Sequence, residues 1–190
     1  MSPLKESEGG GTLQRNSGGS GARAWPTALK RVALKVNGKK VEIEVDSRMT
    51  LAELLREKLG LTGTKVGCNR AECGSCSVLL DGAPVYSCST LAVEASGREV
   101  ETIEGLAVGG KLHPIQEAFI EHDAMQCGFC SPGMIMSLKA SLDRNPHPTE
   151  AEIRAMVDGN LCRCGCYPNI IKAALAAAEI MSRRGGGRNG

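Results

Sequence analysis

Aromatic residues, strong net charge and long apolar runs are all scarce in this sequence. One Trp, two Tyr and two Phe among 190 residues predict small hydrophobic cores. We therefore expect one or two small domains whose folds a bound metal would stabilise. The formal net charge of +2 provides no strong field for nucleic acid or anionic lipid, and we expect neither partner. No apolar run approaches the roughly 18 residues of a membrane span, and no signal-peptide core is visible. A cytoplasmic protein without membrane contact is the resulting expectation.

Cysteine, in contrast, is abundant, with nine residues in the chain. An odd count without a secretion signal disfavours a disulfide framework, because a reducing cytosol keeps thiols free. Metal binding is therefore the favoured interpretation, and the spacing decides between zinc and iron-sulfur.

The first cysteine set has the spacing C-x4-C-x2-C followed by a distant fourth cysteine. Its members are Cys68, Cys73, Cys76 and Cys88. This is the spacing of plant-type 2Fe-2S proteins. Structural zinc instead favours two C-x2-C knuckles or Cys/His mixtures, so a structural zinc protein stays as the less favoured alternative.

A second set begins with Cys127 and Cys130 in C-x2-C spacing, which is only half of a ligand set. The nearest downstream pair is Cys162 and Cys164, so the chain between the two pairs must fold back on itself. Cys166 adds a third cysteine in C-x-C register, and a ligand pair of Cys164 and Cys166 is conceivable. The favoured interpretation of Cys166 is a small free thiol.

Residues 29–106 have the pattern of a small mixed sheet packed on one helix. Strict alternation on either side of Asn37-Gly38 predicts a hairpin, and Asp81-Gly82 predicts another. Thr50 begins a capping box whose helix carries leucines as far as Gly60. We expect a last strand at about residues 99–103.

Residues 107–183 change to helical periodicity, and four short helices predict a compact bundle. Pro114 begins the first helix, residues 134–142 form the second, Thr149 caps the third, and residues 169–181 form the fourth. The Gly/Ser-rich residues 1–28 and the tail 184–190 are predicted to be disordered. The fold class is therefore α+β, with a sheet domain followed by an all-α domain.

Four glycines lie next to cysteines of the two sets, where an iron-sulfur core needs close backbone amides. Glycine allows a positive φ and lets N–H groups approach sulfur. Ordinary turn glycines are the alternative in a glycine-rich chain, although the adjacency favours a cluster role. The four are Gly67, Gly74, Gly128 and Gly165.

Three motifs together resemble the iron-sulfur subunit of the xanthine oxidase family of molybdenum hydroxylases. They are GCNRAECGSCSVLLDG at 67–82, QCGFCSPGMIM at 126–136 and GNLCRCG at 159–165. The resemblance covers about residues 30–182. It implies a β-grasp, plant-type ferredoxin-like domain followed by a four-helix bundle with pseudo-twofold symmetry.

The resemblance also implies roles for individual residues. Cys68, Cys73, Cys76 and Cys88 would bind the plant-type 2Fe-2S cluster, and the bundle would hold a second 2Fe-2S cluster nearer the molybdenum. From the sequence alone, Gln126 would be a solvated surface residue. The resemblance implies instead that Gln126 contacts the molybdopterin of a partner subunit and that Cys164 lies beside the same pterin. The implied ligands of the second cluster are Cys127, Cys130, Cys162 and Cys164.

The resulting hypothesis is an electron-transfer subunit that relays electrons from a molybdenum cofactor through two clusters to an FAD subunit or another acceptor. Molybdopterin and FAD would belong to a large and a medium partner subunit, in a heterotrimer or its multiple. This chain has no dinucleotide fingerprint, no P-loop, and no pattern that assembles its three histidines, so no catalytic residue is expected in it. A free two-cluster ferredoxin is the alternative, although the low net charge argues against transient charged docking.

Overall fold

The computed structural model describes residues 28–185. Most of the predicted disordered segments, residues 1–27 and 186–190, lie outside the described residues. Arg184 and Gly185, assigned to the tail from sequence, instead belong to the final helix.

The first half of the chain forms one five-stranded sheet. Its strands are β1 (Leu29–Val36), β2 (Lys39–Asp46), β3 (Ser77–Leu80), β4 (Ala83–Tyr86) and β5 (Glu99–Glu101), in the order β2-β1-β5-β3-β4. β1 pairs antiparallel with β2 and parallel with β5, while β3 pairs antiparallel with both β5 and β4. The sheet is therefore mixed, as the sequence predicts.

Both predicted hairpins are confirmed. Asn37 and Gly38 have φ values of 50° and 77°, and Asp81 and Gly82 have 50° and 76°. Two consecutive positive φ values match the right-handed twist of the flanking strands. Alternation in β1 buries Val32, Leu34 and Val36 in the sheet core.

The helix that crosses this sheet differs from the prediction after its first turn. Thr50 closes the predicted capping box with Glu53, whose backbone N–H donates to the Thr50 hydroxyl at 3.2 Å. The α-helical part, α1, covers only Leu51–Glu53, and a π-helical turn follows at Leu54–Lys58. The wider turn still buries the leucines at 51, 54 and 55.

The link between the two halves contains a short helix that the sequence pattern did not indicate. After a 3-10 turn at Ala92–Ala95 and strand β5, α2 covers Ile103–Leu106, where we expected the strand to continue to residue 103. Thr102 leaves the strand because its N–H and its hydroxyl are both hydrogen-bonded to the Asn37 side chain, at 2.9 and 3.0 Å.

Four helices complete the described chain. They are α3 (Pro114–Glu121), α4 (Ser131–Arg144), α5 (Glu150–Val157) and α6 (Tyr167–Gly185). The Thr149 capping box and the Pro114 start are confirmed. α6 is longer at both ends than the predicted 169–181. Within residues 28–185, no helix is long and apolar enough to cross a membrane.

Strand β3 joins the cores of the two halves. Its Val78 and Leu80 pack in the sheet core, whereas Leu79 on the opposite face belongs to the bundle core. Lys139 on α4 also pairs with Glu101 at 3.3 Å. The bundle therefore covers the outer face of β3, and the two cysteine sets have a fixed relation across this contact.

Candidate functional site

Hairpin β3–β4 brings together two members of the first cysteine set. Cys76 immediately precedes β3 and Cys88 follows β4, and the pairing of Ser77 with Tyr86 places them on neighbouring strands. The Ser87 hydroxyl donates to the Cys76 carbonyl at 2.7 Å, and the Cys76 and Cys88 side chains contact each other. Both cysteines are buried.

The loop at 68–73 wraps its backbone amides around sulfur. Arg70 N–H and Glu72 N–H donate to Cys68 Sγ at 3.4 and 3.3 Å, and Ala71 N–H donates to Cys88 Sγ at 3.4 Å. Ala71 has a φ of 59°, and Asn69 has 53°. Left-handed conformations at non-glycine residues are uncommon, and here they turn successive N–H groups towards the sulfurs.

The pKa values of this set are displaced in opposite directions. Hydrogen bonds from the Arg70 and Glu72 amides lower the pKa of Cys68 to about 7. Burial raises the pKa of Cys76 to about 11. One sulfur is thus stabilised as a thiolate by the loop alone, whereas the other needs a nearby positive charge such as a metal ion.

The second set lies where two loops of the bundle meet. Cys127 and Cys130 lie directly before α4, and Cys162 and Cys164 lie between α5 and α6. Cys164 Sγ is 3.5 Å from Cys127 Sγ, and the side chains of Cys130 and Cys162 contact each other. The fold-back that the sequence required is therefore present.

The second set repeats the electrostatic pattern of the first. The Phe129 amide is the main cause that lowers the pKa of Cys127, and the Cys164 side chain also contributes. Burial raises the pKa of Cys130 to about 12. Gly128 and Gly165 have φ values of 74° and 75°, and Gly74 in the first set has 68°. Gly67 does not have a positive φ, but a Cβ atom there would lie 3.1 Å from Cys73 Sγ.

Eight sulfurs thus form four contacting pairs. Within residues 28–185, no three His, Cys, Asp or Glu side chains converge on a point that could hold one metal ion. A binuclear cluster needs two thiolates for each iron because sulfide bridges complete the coordination, whereas a zinc knuckle needs four ligands around one ion. The paired arrangement is compatible with a 2Fe-2S cluster at each set. The pairs are Cys68 with Cys73, Cys76 with Cys88, Cys127 with Cys164, and Cys130 with Cys162.

Cys166 lies outside these four pairs. It is buried, and both its backbone N–H and its thiol are hydrogen-bonded to the Cys162 sulfur. Burial is the main cause that raises its pKa. Cys164, and not Cys166, is the residue whose sulfur meets Cys127, so this arrangement favours the Cys162–Cys164 register over the alternative one.

Exposed apolar residues flank the bundle cysteines in the sequence. Met125 is 39% exposed, Phe129 45% and Leu161 58%, and each is next to a cysteine or to Gln126. Gln126 and Cys127 are also exposed. The exposed residues next to the bundle cysteines in the sequence thus include an amide and apolar side chains.

Two features of the site are absent from the sequence interpretation. The amides of residues 70–72 act as sulfur donors although none of these residues is a glycine or directly follows one. Asn160 links the two sets by a long-range hydrogen bond to the Gly74 carbonyl. Local sequence carries no signal for either, because each depends on tertiary placement. Two of the histidines lie at the ends of a helix, His113 at the N-cap and His122 at the C-cap of α3.

Two family models match this chain. Residues 34–107 match the 2Fe-2S iron-sulfur cluster binding domain, and residues 102–175 match a separate 2Fe-2S binding domain.

Individual relatives match over most of their length. The chain is 44% identical to the nicotine 6-hydroxylase small subunit of Paenarthrobacter nicotinovorans, over 85% of this chain and 97% of that protein. It is 48% identical to the caffeine dehydrogenase subunit gamma of Pseudomonas sp. (strain CBB1), over 75% and 87%. Among solved structures, quinoline 2-oxidoreductase from Pseudomonas putida 86 superposes with a TM-score of 0.79 at 49% identity, covering 82% of this chain and 97% of that one.

Proposed function

The chain belongs to the iron-sulfur small subunits of the molybdenum hydroxylase family, and from this premise we propose that it relays electrons within such an oxidoreductase. The electrons would leave a molybdenum cofactor on a large subunit and reach an FAD subunit or another acceptor. Two 2Fe-2S clusters supply the one-electron chemistry when bound. The residues of this chain hold them, surround them with amides and set their separation.

We assign one cluster to each half of the chain. In the domain of residues 29–106, the proposed ligands are Cys68, Cys73, Cys76 and Cys88. In the bundle of residues 107–183, they are Cys127, Cys130, Cys162 and Cys164. The four contacting sulfur pairs and the amides aimed at sulfur support this assignment.

The exposure of Cys127 supports the proposed direction of transfer. Cys127 of the bundle set is exposed, whereas the first set has two half-buried cysteines, Cys68 and Cys73, and two buried ones, Cys76 and Cys88. An exposed sulfur beside apolar side chains suits contact with a cofactor held by another subunit. We therefore propose that Gln126 and Cys164 face the molybdopterin of the large subunit, so that the bundle cluster receives electrons first.

The chain itself holds no proposed substrate site. The relatives named above refer to nicotine, caffeine and quinoline, so closely similar small subunits serve enzymes with different substrates. This agrees with a carrier role in which the large subunit determines specificity.

A free two-cluster ferredoxin is the competing function. The two functions differ in whether the chain is stably bound to partner subunits. We would tag the chain in its native host, purify it gently and identify the copurifying polypeptides and their cofactors. The subunit proposal predicts a large molybdenum protein and a flavoprotein in fixed ratio with the chain, as in a heterotrimer or its multiple. Recovery of the chain alone, with both clusters loaded, would favour the free carrier instead.

A further inference from the structure

A three-residue segment of the bundle is bound directly to the loop that carries the first cysteine set. We call residues 159–161 the strap; they lie immediately before Cys162. The Leu161 amide donates to the Cys73 carbonyl at 2.9 Å, and Tyr86 Oη donates to the Gly159 carbonyl at 3.2 Å. The strap thus connects a proposed ligand of one set to the neighbour of a ligand in the other.

Asn160 is the side chain at the centre of the strap. It is 2% exposed, and its Nδ2 donates to the Gly74 carbonyl at 2.9 Å across 86 residues of sequence. Gly74 lies between Cys73 and Cys76, so this single amide reaches the middle of the first set. A buried amide that lost its partner would be costly, so its geometry is held firmly.

The backbone of Asn160 is fixed on the bundle side as well. Its N–H donates to the Val157 carbonyl at 2.9 Å, and its carbonyl accepts from the Tyr167 hydroxyl at 3.1 Å. The same hydroxyl accepts from the Cys162 N–H at 2.8 Å. Asn160 is therefore attached to a proposed cluster ligand on one side and to Gly74 on the other.

The packing around Gly74 leaves no room for the two loops to come closer together. A Cβ atom on Gly74 would lie closer than 3.0 Å to Gly159 O and Asn160 Nδ2. A Cβ atom on Gly133 of α4 would meet Gly74 O and Ser75 equally closely. Two glycines thus permit the approach that the Asn160 hydrogen bond then fixes.

We infer that Asn160 is a positioning residue that sets the separation and orientation of the two cysteine sets, and through them the coupling between the two clusters. The inference rests on the proposed function, because it requires that both sets hold clusters. Electron transfer weakens steeply with distance, so a rigid link between the two ligand loops maintains the rate between them.

The test uses Asn160→Asp, which keeps the shape but removes the donor, together with Asn160→Ala. Asn169→Ala is the matched control, because its Nδ2 also donates to a backbone carbonyl, that of Asp123 at 3.1 Å, but joins two segments of the bundle only. Each purified holoprotein is assayed for iron, reduced completely, and examined by EPR for the dipolar interaction between the two reduced clusters.

We expect both Asn160 variants to keep their iron and both EPR signals, with a smaller dipolar splitting because the interaction falls with the cube of the distance. Asn169→Ala should retain the wild-type splitting. Tyr86→Phe removes a single hydrogen bond from the strap without opening a cavity, and it should reduce the splitting by a smaller amount.

A wild-type splitting in the Asn160 variants, even with a lower melting temperature, would make Asn160 an ordinary structural residue and overturn the inference. Loss of iron from the Asn160 variants combined with a wild-type splitting in Tyr86→Phe would also overturn it. A wild-type protein without two iron-sulfur signals would instead contradict the proposed function, so the two failures are distinguishable.

Discussion

The thiols of Cys68 and Cys76 have pKa values that are displaced in opposite directions. Backbone amides lower the pKa of Cys68 to about 7, and burial raises that of Cys76 to about 11. The thiolate is the reactive form of cysteine. In the iron-free chain at about pH 7.5 we therefore expect iodoacetamide to modify Cys68 at least about tenfold faster than Cys76. Mass spectrometry of a labelling time course measures both rates. The Cys68 rate should fall as pH drops below its pKa, and equal rates at the two cysteines would contradict the assigned environments.

The C-x-C-x-C stretch makes a second prediction at the level of single residues. Cys164 Sγ is 3.5 Å from Cys127 Sγ, whereas Cys166 is buried against Cys162. Cys166→Ala should therefore keep about four irons per chain, and Cys164→Ala should keep only about two. Iron analysis with EPR distinguishes them. Iron loss in Cys166→Ala with retention in Cys164→Ala would establish the other ligand register.

The contact between the bundle and the loop of the first cysteine set depends on glycines. Sequence spacing alone does not distinguish these glycines from ordinary turn glycines. Gly74 and Gly82 have φ values of 68° and 76°, yet only at Gly74 would a Cβ atom meet other atoms within 4 Å. Gly82→Ala should cost about 1–2 kcal/mol for the left-handed backbone. Gly74→Ala adds overpacking of about 1–3 kcal/mol against the strap.

Thermal unfolding of the two loaded variants, followed by circular dichroism, measures this difference. Gly82→Ala is the control, because it has the same backbone strain without the contact. We expect the lower melting temperature in Gly74→Ala. Equal melting temperatures would mean that the loops can separate at little cost.

At the same scale, local signals were sufficient for most elements. The capping boxes at Thr50 and Thr149 depend on residues three positions apart, and both form as expected. The Asn37-Gly38 turn likewise needs only its own φ preferences. The π-helical turn at Leu54–Lys58 was not predicted, because the same leucine spacing also fits an α-helix.

For the whole molecule, the sequence predicts the two cysteine sets but not their mutual geometry. Spacing groups Cys127 with Cys130, whereas the sulfurs that meet are Cys127 with Cys164 and Cys130 with Cys162. The Asn160–Gly74 hydrogen bond crosses 86 residues, and no local pattern encodes it. The sulfur pairs depend on how the loop before α4 meets the loop between α5 and α6, and the Asn160–Gly74 hydrogen bond depends on how the bundle packs on the sheet domain. Both are tertiary properties.

Assembly provides the fourth prediction. Gln126 is exposed directly before Cys127, and no described contact makes it necessary for the fold of this chain. If it contacts a partner's molybdopterin, Gln126→Ala should retain both clusters while weakening assembly or slowing turnover by about tenfold, equivalent to about 1.4 kcal/mol. Glu121→Ala, an exposed change at the end of α3, is the control. A Gln126→Ala complex with wild-type yield and rate would count against the contact.

The presence of two 2Fe-2S clusters is the central claim, and metal analysis with EPR of the purified chain tests it most directly. We expect a red-brown protein with about four irons per chain and two distinguishable signals on reduction. Cys88→Ala should abolish one signal and Cys130→Ala the other. A colourless protein that contains zinc, or a single signal that both variants abolish, would contradict the account.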